Sequence, residues 1–255
     1  MINVDKNTFL DINLKAINKN YNIIKQIVGR KCIIAATVKA DAYGLGADKV
    51  VNSLIKKGCK YFFVATTNEA IFLRKLNKRI FIFILNGLVT KELKNIRKFN
   101  LIPVINNLAQ LKKIENYQKE NNCFLNIAIH FDTGMSRLGL DQNETENLLK
   151  NKALLIKKSK LRLIMSHLSC ADDKKSELNK IQLNKFNFIK SHFPNCLCSL
   201  SNSAGILLGK KYHFDMVRPG ISLYGGQCQI NEKIIYKNVV SIKAKLIQIR
   251  EIYKG

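Results

Sequence analysis

Proline occurs only 3 times in 255 residues, tryptophan is absent, and no Gly/Ser-rich stretch interrupts the chain. That composition excludes an intrinsically disordered protein, and a hydrophobic content of 47% supplies a substantial core. Long apolar runs are missing too. The most apolar, residues 80–85, falls far short of the ~20 residues needed to cross a bilayer. The N-terminus, Met1-Ile-Asn-Val-Asp-Lys6, carries no signal-peptide stretch. We therefore expect a cytoplasmic protein with no membrane partner. Acidic residues are scarce, 18 against 43 Lys and Arg, for a formal net charge of +25. A nucleic-acid ligand would gather that charge into a stripe, because it must track a phosphate backbone. Here the lysines are spread through nearly every segment alongside heavy use of Asn and Ile. The charge reads as a solvated surface, and no nucleic-acid partner is expected. The 7 cysteines lack zinc or CxxC spacing; the nearest pair, Cys196 and Cys198, has one residue between. Reduced, mostly buried thiols and no metal site follow.

What is present is a rhythm. Short apolar, β-branched runs at 33–39, 61–65, 80–85, 101–104, 124–131, 161–166, 197–200 and 215–218 alternate with longer amphipathic stretches. Ala16, Ile17, Ile23, Ile24 and Ile27 approximate one helix face before the first run; Val50, Val51, Leu54 and Ile55 do so after it, and residues 174–193 carry another such pattern. Continuous apolar strands suit a sheet covered on both faces. Eight of them alternating with helices predict an α/β fold, a (β/α)8 TIM-type barrel. After Gly225 the rhythm changes, and residues 239–250 show strand-like alternation. We expect a barrel domain over 1–236 and, over 237–255, a short β stub opening a second, truncated domain.

In such barrels the chemistry collects where strands end. The first run leads into Val38-Lys39-Ala-Asp-Ala-Tyr43-Gly-Leu-Gly46, and a lysine at a barrel mouth suits Schiff-base chemistry with an aldehyde. The fifth leads into Asp132-Thr-Gly-Met-Ser-Arg137-Leu-Gly139, the sixth into Ser166-His167-Leu, the seventh into Ser201-Asn202-Ser203-Ala-Gly205, and the eighth into Arg218-Pro-Gly220-Ile221-Ser-Leu-Tyr-Gly225. Singly, each reads as a cap, a turn or a core histidine. Together they place small polar residues and a glycine turn after the seventh and eighth strands, the usual phosphate site of these barrels. A lysine then faces that site across the mouth. The set fits a phosphorylated aldehyde cofactor.

These five segments, in this order, closely resemble the signatures of alanine racemases, fold-type III enzymes that use pyridoxal 5'-phosphate. By that resemblance Lys39 carries the cofactor and serves as the acid or base on the D-alanine face. Tyr43, Ser203 and the backbone at Gly220 and Ile221 hold the phosphate, with Asn202 beside them. Arg137 approaches the phenolic oxygen, Arg218 the pyridine nitrogen, and His167 backs up Arg218. The implied activity is interconversion of L- and D-alanine, supplying D-alanine for peptidoglycan. The family works as a homodimer, in which the opposite base is a tyrosine from the partner's C-terminal domain. The resemblance implies that this tyrosine would follow Gly255, so the chain reads as shortened, with low activity alone unless a separate chain supplies that domain.

Two positions depart from the family pattern. Leu45 stands where a histidine is usual, and His130 where many members have a lysine that orients the arginine matching Arg137. Alternatives are a single-domain cofactor carrier, which would not combine the Arg-Leu-Gly and Arg-Pro-Gly-Ile-Ser-Leu-Tyr-Gly patterns, and an inert gene remnant, which would aggregate through an exposed apolar face.

Overall fold

The structure is a computed structural model and describes residues 7–155 and 159–254. Eight parallel strands make the central sheet: β2 (Ile33–Thr37), β3 (Tyr61–Val64), β4 (Phe81–Ile84), β5 (Ile102–Ile105), β6 (Asn126–His130), β7 (Lys160–Met165), β8 (Leu197–Ser199) and β9 (Met216–Val217). Neighbours in sequence are neighbours in space, and β9 pairs with β2. Between β8 and β9 the Asp215 amide donates to Cys198 O at 3.1 Å and the Arg218 amide to Ser201 O at 3.0 Å, which closes the circle. The expected barrel is present.

Alternation within each strand explains why the runs are apolar throughout. Phe63 and Phe83 point into the lumen with Ala35, Val104, Ala128, Leu163, Met165 and Met216. Their neighbours Phe62, Val64, Ile82 and Ile84 point outward into the layer beneath the helices. Both faces of the sheet are therefore buried against apolar side chains. Inside, the Phe63 and Phe83 rings stack with centroids 4.7 Å apart.

The strands are wrapped by α1 (Leu14–Val28), α3 (Ala47–Lys56), α4 (Thr67–Leu76), α5 (Leu93–Lys98), α6 (Leu108–Glu120), α7 (Gln142–Leu155) and α8 (Glu177–Ser191). A further short helix, α2 (Lys39–Gly44), is described with the site. The α1 face differs from expectation. Asn20 and Tyr21 are buried with Ala16, Ile17 and Ile24, whereas Ile27 in the last turn is exposed. Asn20 is tolerated inside because its amide is fully used: Nδ2 donates to Leu223 O and Lys237 O, and Oδ1 accepts from the Lys237 amide.

Three further boundaries moved. The fourth expected run is offset by one residue from β5, Lys39 lies beyond the end of β2, and β8 is followed only by the 3-10 turns Gly205–Leu208 and Lys210–Tyr212. The strand expected over 239–250 occupies only β10 (Val240–Ala244), and it pairs antiparallel with β1 (Thr8–Ile12), a strand the sequence reading did not anticipate. Among the described residues no helix is long and apolar enough to cross a membrane.

Candidate active site at the barrel mouth

A cavity of about 610 Å³ opens at the C-terminal ends of the strands. Every side chain singled out from the sequence reaches it: Lys39, Tyr43, Arg137, His167, Asn202, Ser203 and Arg218 line it, with Gly220 and Ile221. The lining holds three cationic side chains, Lys39, Arg137 and Arg218, and a single carboxylate, Asp172, among the described residues. Its volume is that of a small-molecule site and its charge suits an anion.

Lys39 is placed by an unusual turn. Ala40, Asp41, Ala42 and Tyr43 all have left-handed backbones, with φ between 52 and 60°, so α2 coils against the usual sense. Each such residue costs about 1–2 kcal/mol. The surroundings hold the turn in place. Glu69 Oε1 accepts from the Ala40 amide at 3.0 Å, Asp41 Oδ1 accepts from the Ala47 amide at 2.7 Å, and the Ala42 amide donates to Val38 O. Tyr43 closes the turn by packing on Tyr224, centroids 4.7 Å apart. Gly220 lies beneath the Tyr43 hydroxyl, where any side chain would collide with it.

Arg218 follows β9 directly and is only 5% exposed. It donates to Ser199 Oγ, to Ser166 O at 2.6 Å and to Leu200 O at 3.3 Å, and lies over the Phe63 ring. Burial without a carboxylate partner pulls its pKa down to about 9, which still leaves it charged at neutral pH. His167 sits beside it, Nδ1 3.4 Å from Arg218 Nη2 and Nε2 3.3 Å from Asn202 Nδ2. Burial first, and then Arg218, hold the His167 pKa well below the usual value, so the ring is neutral.

His130 closes β6 and is also neutral, its pKa lowered to about 3 by burial and then by Arg218. Its tautomer follows from its neighbour. Asn106 Nδ2 donates to Leu85 O and Val104 O, so Oδ1 is the atom 3.0 Å from His130 Nδ1. Nδ1 therefore carries the proton, and Nε2 is left as an acceptor on a residue that lines the cavity. Arg137 comes from the loop after β6, which Asp132 organises by accepting from the amides of Gly134, Met135 and Ser136. No salt bridge engages Arg137 among the described residues.

Beside the Lys39 turn, and not across the mouth from it as expected, because β9 pairs with β2, Ser203 Oγ accepts from the Gly220 amide at 2.9 Å. The amides of Ser203, Ala204 and Ile221 have no acceptor among the described residues. Asn202 caps the 3-10 turn, Oδ1 accepting from the Gly205 amide at 2.8 Å, and donates to Leu168 O. Free amides on one cavity with Ser203 and Tyr43 make a cradle with the donor chemistry of a phosphate site. The residues present thus fit a phosphate-bearing aldehyde: free amides and hydroxyls for the phosphate, the Lys39 amine for the aldehyde, and Arg218 on the same cavity.

Three supporting residues were missed. Asn106 fixes His130, Glu69 holds the left-handed turn, and Gln182 ties two loops together. Gln182 is fully buried on α8. It accepts from Ser169 N and Oγ and donates to His167 O and Thr133 Oγ1, while Thr133 meets Ser166 Oγ at 2.7 Å. The signal was available: Asn179 and Gln182 are polar residues within the apolar stripe of Leu183, Phe186 and Ile189, and Asn106 ends an apolar run.

A closed eight-stranded parallel barrel with a lysine turn and an anion-binding set of donors side by side at its mouth defines an α/β barrel of the cofactor-binding kind. More narrowly, the chain belongs to the alanine racemase N-terminal domain family, matched over residues 12–228. It is similar to the alanine racemase of Rickettsia prowazekii (strain Madrid E), 43% identical over 217 residues that cover 85% of this chain and 53% of that protein. Among solved structures it is similar to alanine racemase from Bartonella henselae with covalently bound pyridoxal phosphate. That match has a TM-score of 0.89 and 35% identity, and covers 95% of this chain and 67% of that one. Biosynthetic alanine racemase from Pseudomonas aeruginosa superimposes with a TM-score of 0.86 at 29% identity, covering 97% of this chain and 68% of that one. The chain spans about half the length of the first two curated relatives.

Proposed function

We propose that this chain is the pyridoxal-phosphate-binding half of an alanine racemase site and that Lys39 works one face of the substrate. The observation that carries the proposal is the placement of Lys39, Arg218 and the Ser203–Ile221 cradle around one cavity. Tyr43, Ser203 and the Ile221 amide would hold the phosphate, joined by the Ala204 amide; the Gly220 amide, expected among them, is spent on Ser203 Oγ. Arg218 would meet the ring nitrogen. When bound, the cofactor's ring accepts the electron pair left behind as the Cα proton departs. Arg218, already protonated, can only donate a hydrogen bond, so a ring nitrogen held beside it would stay unprotonated. His167, neutral, has one acceptor nitrogen, and with Nδ1 in that role it would support Arg218 without competing for its charge. Arg137 and the Nε2 acceptor of His130 face the remaining volume. The single-carboxylate lining leaves net positive charge for the carboxylate of an amino acid such as alanine.

Racemisation requires proton removal on one face and delivery on the other. The first two curated relatives match this chain over only 53% and 55% of their length, and we infer that the second group belongs to the remainder, in a homodimer partner or a separate chain. The division into a barrel over 1–236 and a β segment over 237–255 belongs to this reading, as does supply of D-alanine for peptidoglycan. Seven cysteines unpaired in the structure support a reducing, cytoplasmic setting. The test is borohydride reduction of the 255-residue chain with saturating pyridoxal phosphate, followed by peptide mapping. A pyridoxyl adduct at Lys39 is expected; an unmodified Lys39, or an adduct elsewhere only, overturns the proposal.

A further inference from the structure

Glu69 holds two segments with one carboxylate. Its Oε2 accepts from the Ala65 amide at 2.7 Å and from the Thr66 amide at 3.4 Å, the second bond being half of the capping box that opens α4. Its Oε1 reaches out of that box to accept from the Ala40 amide at 3.0 Å. A capping box needs only the bond to its own N-cap amide. The bond to Ala40 serves the lysine turn.

The Ala40 nitrogen belongs to the peptide unit that joins it to Lys39. That unit is planar, so holding its N–H fixes the backbone on the C-terminal side of Lys39 and the direction in which the side chain leaves. On the N-terminal side, the Val38 amide donates to Phe63 O at 2.8 Å. The far end of the turn has anchors of its own, the Asp41–Ala47 bond and the packing of Tyr43 on Tyr224. Glu69 is half-buried and is not among the side chains that line the cavity. Its partners are all N–H donors, so both of its oxygens must accept. A glutamine has one acceptor oxygen and an NH2 group that would face an N–H.

We propose that Glu69 is a positioning residue for the Lys39 amine: its span from the end of β3 to the Lys39–Ala40 peptide favours condensation of that amine with an aldehyde and leaves phosphate binding alone. This rests on the reading of the site given above. In the condensation the Lys39 nitrogen lone pair attacks the aldehyde carbon. The amine gives up two protons, the aldehyde oxygen leaves with them as water, and C=N replaces C=O. Without the carboxylate strut the Lys39–Ala40 peptide is free to turn, and only the fraction of molecules that hold it correctly can condense.

The test is titration of the 255-residue chain with pyridoxal phosphate, which reads amine and cradle together, and with deoxypyridoxine phosphate, whose methyl group replaces the aldehyde and reads the cradle alone. Thermal melting checks the fold of each variant. Glu69→Gln should weaken condensation with pyridoxal phosphate, followed by C=N absorbance, by about ten-fold, the worth of one hydrogen bond to a charged group. The deoxy probe should bind it as it binds the parent. Thr66→Ala removes the other half of the capping box and keeps the carboxylate, so it should lower the melting temperature and leave both affinities unchanged. Should Glu69→Gln fold poorly, Glu69→Asp keeps the charge but falls one methylene short of spanning both segments, and the same split between probes is expected. Undiminished condensation in Glu69→Gln, equal weakening for both probes, or losses in Thr66→Ala that match those in Glu69→Gln each overturn the proposal. A parent that binds neither probe overturns the cradle reading instead, and one that binds the deoxy probe without condensing at Lys39 overturns the lysine reading.

Discussion

Arg218 Nη2 lies 3.4 Å from Nδ1 of His167, and no salt bridge to a carboxylate engages either residue among the described residues. A buried guanidinium is thus held by carbonyls, a serine and a neutral imidazole. Replacing it with methionine, close in length but uncharged, removes the second-largest influence on His167 while burial remains. The His167 titration midpoint should move upward in Arg218→Met yet stay below 6.5. NMR of the ring carbons checks this, and an unchanged midpoint would count against the coupling. Pyridoxal phosphate affinity should fall in the same variant.

The pH profile of stability has a definite sign. Folded His130 stays neutral down to about pH 3, whereas the unfolded ring protonates near 6.5. Between those limits the unfolded chain binds the extra proton. The contribution is fully present above about pH 6.5 and drains as pH falls toward 3, by at most about 1.4 kcal/mol per pH unit. His167 acts with the same sign. Melting temperature should drop steeply in that window, and His130→Gln should flatten the drop. Parallel curves for the two proteins are the contrary result.

Gln182→Leu preserves volume and removes four hydrogen bonds at once. The Ser169 amide and His167 carbonyl lose the Gln182 amide as partner, and a loss of about 2–3 kcal/mol is expected in urea unfolding. Hydrogen exchange at the Ser169 amide should accelerate selectively. Protection equal to the parent would show the loops to be held by other means.

Two glycines with the same φ of +107° separate backbone strain from collision. A side chain at Gly139 would come within 2.8 Å of the Asp132 amide nitrogen, while one at Gly209 meets nothing within 4 Å. Gly209→Ala should cost about 1 kcal/mol and Gly139→Ala at least twice that, with displacement of the Arg137 loop. Thermal or urea denaturation of the pair decides it, and equal costs would place the whole effect in the backbone.

The barrel was legible because its strands are apolar on both faces, and that pattern survives errors of a residue or two. β1 was not, because Thr8-Phe-Leu-Asp-Ile12 is mostly exposed and pairs with a strand more than two hundred residues away. Local periodicity carries no trace of that partner. The cavity lining was legible because glycine and small polar residues cluster only where strands end. The left-handed turn was not: nothing in Ala40-Asp-Ala-Tyr43 favours it, and Glu69 and Gly220, which stabilise it, lie elsewhere in the chain.

The pairing of Thr8 with Ala244 also has a bearing on how the molecule is made. At about 5–20 residues per second, a ribosome needs roughly 10–50 s to deliver the second strand after the first has emerged. For that interval the opening segment is an unsatisfied edge, free to be captured by a chaperone or a neighbouring nascent chain. The ring of parallel strands has the same delay, since β2 must wait for β9. Assembly of these residues is therefore gated by the arrival of the second strand of each pair, and substitutions near Val240 should trap early intermediates rather than merely loosen the finished fold.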